Sequence, residues 1–157
     1  MQVERGERLV VLGPNGAGKS TLLRALAGNP SVLREGEWRA GEGLLLGVFE
    51  QDQAQFLPDD KDPLTYVPEA VAAEGRQRYP DTHEVRKALG ALGLRGEDQK
   101  RRIGEFSGGE KARVSLAVLS MRQSNCLLLD EASNHLDIGA FRSSVEPFGQ
   151  GRAVVVV

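Results

Sequence analysis

Short apolar runs alternate with longer stretches in which apolar residues recur every three or four positions, and this alternation predicts an α/β fold. Residues 8–12 read as a buried strand running into a glycine-rich turn, and residues 20–27 as the helix behind it, stopped by Gly28, Asn29 and Pro30. Residues 36–39 and 44–49 read as two strands, separated by Gly41 and Gly43 and placed to form a small antiparallel pair. A polar, proline-marked stretch covers 51–63, followed by a helix over 64–73 that Pro68 would have to start or kink. Val85, Ala88, Leu89 and Leu92 predict a helix over 82–92 with one buried face, and Asp81 with Glu84 supplies a capping pair at its start. Then come a helix over 109–121, a short strand over 126–129 ending in Asp130 and Glu131, a helix over 138–146, and a mostly β-branched strand over 153–157. No internal repeat and no linker divides the 157 residues, so a single domain is expected.

Composition narrows the classes of function. The 20 Lys and Arg against 22 Asp and Glu leave a net charge of −2, which removes a global basic field that would draw the chain to nucleic acid or anionic membrane. The longest apolar run, 44–49, is far short of the roughly 20 residues of a membrane-spanning helix. Residues 1–10 mix charges with apolar side chains and show no signal-peptide core. Cys126 is the single cysteine, which excludes an internal disulfide framework and a multi-cysteine metal site. It is compatible with a reducing compartment, with the cytoplasm as the default.

Three local patterns carry chemistry. Gly13, Pro14, Asn15, Gly16, Ala17, Gly18, Lys19 and Ser20 fit G-x-x-x-x-G-K-[ST] between a predicted strand and a predicted helix, the context in which that pattern works. Its glycines let main-chain N–H groups curl around phosphate oxygens, and the helix behind them adds its positive end. Lys19 would reach the β- and γ-phosphates and the Ser20 hydroxyl would ligate Mg²⁺; a glycine turn with a purely structural role needs neither residue. The apolar strand over 126–129 delivers two carboxylates at its carboxyl end, where α/β sheets place their ligands. Asp130 would hold Mg²⁺ and Glu131 would accept the proton of an attacking water. Taken alone, this pair is an ordinary strand end with solvated acids; beside a phosphate loop it is a catalytic pair.

The third pattern, Ser107, Gly108, Gly109 and Glu110, reads first as a capping box worth about 1 kcal/mol. Its two glycines weaken a helix start by roughly 0.5–1 kcal/mol each, yet they leave that start free of Cβ atoms, as an anion site requires. A second anion-binding helix start suggests a nucleotide shared between two copies of the domain.

With these residues in place the chain resembles an ATP-binding cassette ATPase domain, a P-loop NTPase. GPNGAGKST, including Thr21, resembles Walker A, FSGGEKARVSLA the signature motif, and CLLLDEASNHLD Walker B followed by the D-loop. The resemblance covers nearly the whole chain in the right order. NHLD at 134–137, the GEKARVSLA continuation and VFEQDQ are especially similar to the F subfamily, soluble twin-cassette proteins that work on the ribosome. It implies a mostly parallel sheet with a small antiparallel part, and a helical subdomain over about 58–122 that carries the signature motif. ATP and Mg²⁺ are the implied cofactors. Gln51 resembles the glutamine that contacts Mg²⁺ and the attacking water, with Gln53 and Gln55 as alternative assignments. Ser107, Gly108 and Gly109 would contact the γ-phosphate held by an opposing cassette, and Asp137 resembles the D-loop aspartate at that interface, besides capping a helix at 138. The implied partners are a second cassette, head to tail and within the same parent chain, and the ribosome; no direct membrane insertion is implied.

The chain also departs from the family pattern. Phe106 stands where leucine is usual before SGG, and Ala132-Ser133 replace Pro-Thr. No H-loop histidine follows 153–157, and no aromatic residue precedes Gly13; the first is Trp38. A missing base-stacking aromatic weakens binding by about ten- to a hundredfold. A missing transition-state donor lowers turnover by about 10²–10³. An incomplete cassette that binds ATP with little turnover is therefore expected. The competing expectation is a transporter energy subunit coupled to a membrane partner through the groove near Gln51, distinguishable by co-purification with a permease rather than with ribosomes.

Overall fold

The chain's most continuous apolar runs lie side by side in a computed structural model, which describes residues 1–32, 35–49, 56–73, 79–130 and 152–156. Strands β1 (Arg8–Val10), β2 (Leu46–Phe49), β3 (Cys126–Leu129) and β4 (Ala153–Val156) form a sheet of order β1-β4-β3-β2. Every pairing is parallel: Leu9 lies opposite Val155, Leu128 opposite Val155 on its other side, and Val48 opposite Leu128.

β3 and β4 contain no charged residue because helices cover both of their faces. Leu127, Leu129, Val154 and Val156 enter a larger apolar cluster, whereas Leu128 and Val155 enter a smaller one, the two-residue alternation of a strand. Helix α1 (Lys19–Leu26) closes the smaller cluster through Leu23. The larger cluster is filled by α2 (Pro63–Ala72), α3 (Thr82–Ala91) and α4 (Gly108–Met121), which contribute among others Val67, Leu89 and Leu116. β2 meets α4 closely: a Cβ on Gly47 would sit 2.8 Å from Leu127 Cδ2 and 2.9 Å from Leu119 Cδ1, so any larger residue forces these buried leucines to shift.

The helix boundaries follow from local chemistry. At α3, Asp81 Oδ1 accepts the N–H of Glu84 at 2.8 Å and Glu84 Oε2 accepts that of Asp81 at 2.9 Å, the capping pair expected from sequence. At α2, Asp62 caps Thr65 at 3.0 Å and Pro63 occupies the first turn. Pro68 therefore does not start this helix. It lies buried inside α2, where it has no N–H to donate to the Leu64 carbonyl.

The expected antiparallel pair does not form. β2 is a strand, but it pairs with β3 in the parallel sheet, and residues 36–39 adopt no strand. Gly36 takes φ +96°, and the Trp38 indole packs on Gly28 and donates to the Leu26 carbonyl at 2.9 Å, which ties this segment to the end of α1. The helix expected over 138–146 lies outside the described residues. No described helix is long and apolar enough to cross a membrane.

Candidate functional site

The sheet brings the carboxyl end of β1, the residue after β3 and the start of α1 together. The Val11 N–H donates to the Val156 carbonyl at 2.8 Å, and the Asp130 N–H to the Phe49 carbonyl at 3.0 Å, so both segments leave the sheet at fixed points. Residues 13–18 then form an exposed turn. Gly16 and Gly18 have φ of +80° and +90°, in the left-handed region, and a Cβ at either would meet no atom within 4 Å. Gly18 is the N-cap of α1 and offers no side-chain acceptor, so the first amides of the helix have no side-chain cap. The Lys19 ammonium lies over the same loop and donates to the carbonyls of Gly13 and Pro14, each at 3.1 Å.

The Ser20 hydroxyl donates to Asp130 Oδ1 at 3.0 Å, across 110 residues of sequence. A hydroxyl and a carboxylate are hard oxygen donors, and together with an exposed glycine turn and a helix start without a side-chain cap they fit a Mg²⁺-bound polyphosphate. Of the residues singled out from sequence, the structure brings together Gly13, Pro14, Lys19, Ser20 and Asp130, with Asn15, Gly16, Ala17, Gly18 and Thr21 in the loop and first turn between them. Gln51, Glu131 and Asp137 lie outside the described residues, as do Gln53 and Gln55.

The Ser107–Glu110 segment stands apart: among the described residues no hydrogen bond or ion pair joins it to the 13–20 loop. Ser107, exposed, caps α4, and its N–H and hydroxyl both donate to Glu110 Oε2 at 2.8 Å. That main-chain donation holds the Glu110 carboxyl below the usual glutamate range, with the Ser107 hydroxyl and the Arg101 guanidinium acting in the same direction against partial desolvation. The helix start is braced from behind, where Lys111 pairs with Asp59 at 2.8 Å and the Gly104 N–H donates to the Asp59 carbonyl at 3.1 Å. Cys126 is half-buried against the smaller apolar cluster, and burial pushes its thiol pKa up, in keeping with a packing role.

Sequence reasoning missed Arg101. Its guanidinium donates to Glu110 Oε1 at 2.6 Å and lies 4.6 Å from the centre of the Phe106 ring. No spacing marked it, because its two partners come from a turn and a helix start and not from one periodic element.

Known proteins resemble this chain in sequence and in fold. The Escherichia coli K12 ATP-binding protein YheS is 37% identical over 152 residues, which are 97% of this chain and 23% of that protein. ABC transporter F family member 4 of Arabidopsis thaliana is 36% identical over 156 residues, covering 98% of this chain and 21% of its own length. The chain thus spans under a quarter of the curated relatives it matches. Among solved structures, an ABC transporter ATP-binding protein from Pyrococcus furiosus superposes with a TM-score of 0.78 at 20% identity, over 99% of this chain and 80% of that one. A dimeric ATP-binding cassette in a post-hydrolysis state with ADP and Pi gives 0.75 at 20% identity, over 100% and 76% respectively, and both likenesses establish the fold alone. The sequence profile of the family described as ABC transporter matches residues 1–134, and the chain belongs to that family.

Proposed function

We propose that this chain is an ATP-binding and ATP-hydrolysing cassette of a soluble, cytoplasmic, F-subfamily-like protein that acts in translation on the ribosome. The observation that carries the nucleotide reading is the Ser20–Asp130 hydrogen bond at the mouth of the glycine turn. Main-chain N–H groups of Gly16, Gly18, Lys19 and Ser20 grip the phosphate tail, and the Lys19 ammonium leaves the Gly13 and Pro14 carbonyls to meet the terminal phosphates. Ser20 and Asp130, with Gln51, would hold Mg²⁺, which when bound supplies charge neutralisation at the phosphate oxygens. A carboxylate oxygen of Glu131 takes the proton of the attacking water, and Gln51 orients that water. Ser107–Gly109 meet the γ-phosphate held on a second cassette, across an interface that includes Asp137. The residues over about 58–122 form the helical unit that carries this surface. The likeness to F members supports the translation reading over the transporter one, and ribosome co-sedimentation of the parent protein tests it.

Replacing Lys19 with alanine removes charge-assisted hydrogen bonds to phosphate, and ATP affinity measured by calorimetry falls about ten- to a hundredfold. Unchanged affinity removes the cradle. In the parent protein, Glu131→Gln keeps the site's shape without a base, so ATP-bound closed cassettes accumulate; normal turnover would exclude Glu131 as the base.

A further inference from the structure

Glu110 presents a problem to any phosphate approaching α4. Its Oε2 lies within hydrogen-bond reach of the Ser107 N–H and hydroxyl, at the positive end of the helix, where a carboxylate is stabilised and competes with an incoming anion. Its Oε1 is taken by Arg101 at 2.6 Å, with Asp98 3.7 Å away on the other side of the guanidinium. The guanidinium is fixed by stacking on Phe106, which is 6% exposed and immediately precedes Ser107. Arg101, Phe106, Ser107 and Glu110 thus form a closed circuit around an exposed helix start.

We propose that Arg101 is a positioning residue for the anion-accepting start of α4: held on the Phe106 ring, it keeps Glu110 against Ser107 and offsets its negative charge beside the Ser107–Gly109 amides. The inference rests on the reading of α4 as a phosphate-accepting helix start and assigns that site a residue outside the signature run. A bare carboxylate here would cap the helix equally well and repel phosphate; the ion pair keeps the cap and removes the repulsion. A lysine would keep the charge and lose the planar stack and fork.

The test is a titration of the whole ¹⁵N-labelled chain with inorganic triphosphate in the absence of Mg²⁺. The amides of Gly16, Gly18 and Lys19 report on the α1 cradle and those of Gly108 and Gly109 on the α4 start, so two isotherms come from one sample. Arg101→Met weakens binding at Gly108 and Gly109 about three- to fivefold and leaves the cradle isotherm unchanged, which also shows that the variant folds. Adding Glu110→Gln to Arg101→Met restores binding, because glutamine caps the helix without a charge to be offset. Arg101→Lys falls between the single variant and the unaltered chain. Unaltered binding in Arg101→Met, or a double variant as weak as the single one, overturns the proposal, the second outcome leaving Arg101 a packing role only. No response at Gly108 and Gly109 in the unaltered chain overturns it together with its premise. No response at Gly16, Gly18 and Lys19 removes the nucleotide cradle, while the α4 isotherms still decide the role of Arg101.

Discussion

Because the Ser107 N–H donates to Glu110, and the Ser107 hydroxyl and Arg101 add to the effect, this carboxyl holds its proton less tightly in the folded chain than in the unfolded one. A depressed folded pKa means that the charged form stabilises the fold. The contribution is fully present above the ordinary glutamate value of 4.5 and is lost as pH falls through the lower folded value. Glu110→Gln, which keeps a capping acceptor but does not titrate, therefore melts below the unaltered chain at neutral pH, and the gap closes on acidification below the ordinary value. Melting curves of both chains across that window check the sign; a gap independent of pH would show that Glu110 acts only as a neutral cap. The Ser107–Glu110 link was legible in sequence, since a capping box is an i, i+3 pattern. The arginine on the far oxygen was not, because the turn between them, with the Phe106 N–H on the Ile103 carbonyl at 3.0 Å, sets its approach. Ser20 and Asp130 could each be singled out from its own run, while their 3.0 Å contact needed the parallel register of β3 with β4 and β4 with β1.

For the elements, apolar period and end signals settled more than partner choice did. Residues 126–129 were expected as a strand and form β3 with the same bounds, and α3 starts where Asp81 and Glu84 indicate. The run at 44–49 identified a strand, but nothing in it says whether the neighbour is the adjacent segment or β3, some 80 residues on. At Gly47 the lack of a side chain lets β2 lie directly under α4 beside β3. Gly47→Ala therefore drives a methyl into Leu119 and Leu127 and costs about 1–3 kcal/mol in chemical denaturation. Gly41→Ala, where a Cβ meets nothing within 4 Å, is the control and changes stability by less than about 0.5 kcal/mol. Equal effects of the two substitutions would remove the close approach as the reason for glycine at position 47.

On the scale of the whole molecule, the site is a joint between distant parts of the chain. One side is the turn leading into α1, which packs on the smaller apolar cluster; the other is the end of β3, a central strand that contributes to both clusters. A ligand that grips both sides binds the folded chain and has no comparable site in the unfolded one, so binding free energy becomes folding free energy. Mg²⁺-ATP at about a hundred times its dissociation constant adds about 2.7 kcal/mol, which for a domain of this size is a rise of about 5–10 °C in melting temperature. Chelating Mg²⁺ with EDTA removes part of that rise if Ser20 and Asp130 hold the cation as proposed. Asp130→Asn, neutral and close in shape, shows a smaller rise and less sensitivity to EDTA than the unaltered chain. A melting temperature that ignores saturating Mg²⁺-ATP would separate the fold from the function proposed for it. A rise of equal size with and without EDTA in both chains would leave the phosphate cradle intact and remove Asp130 from the metal.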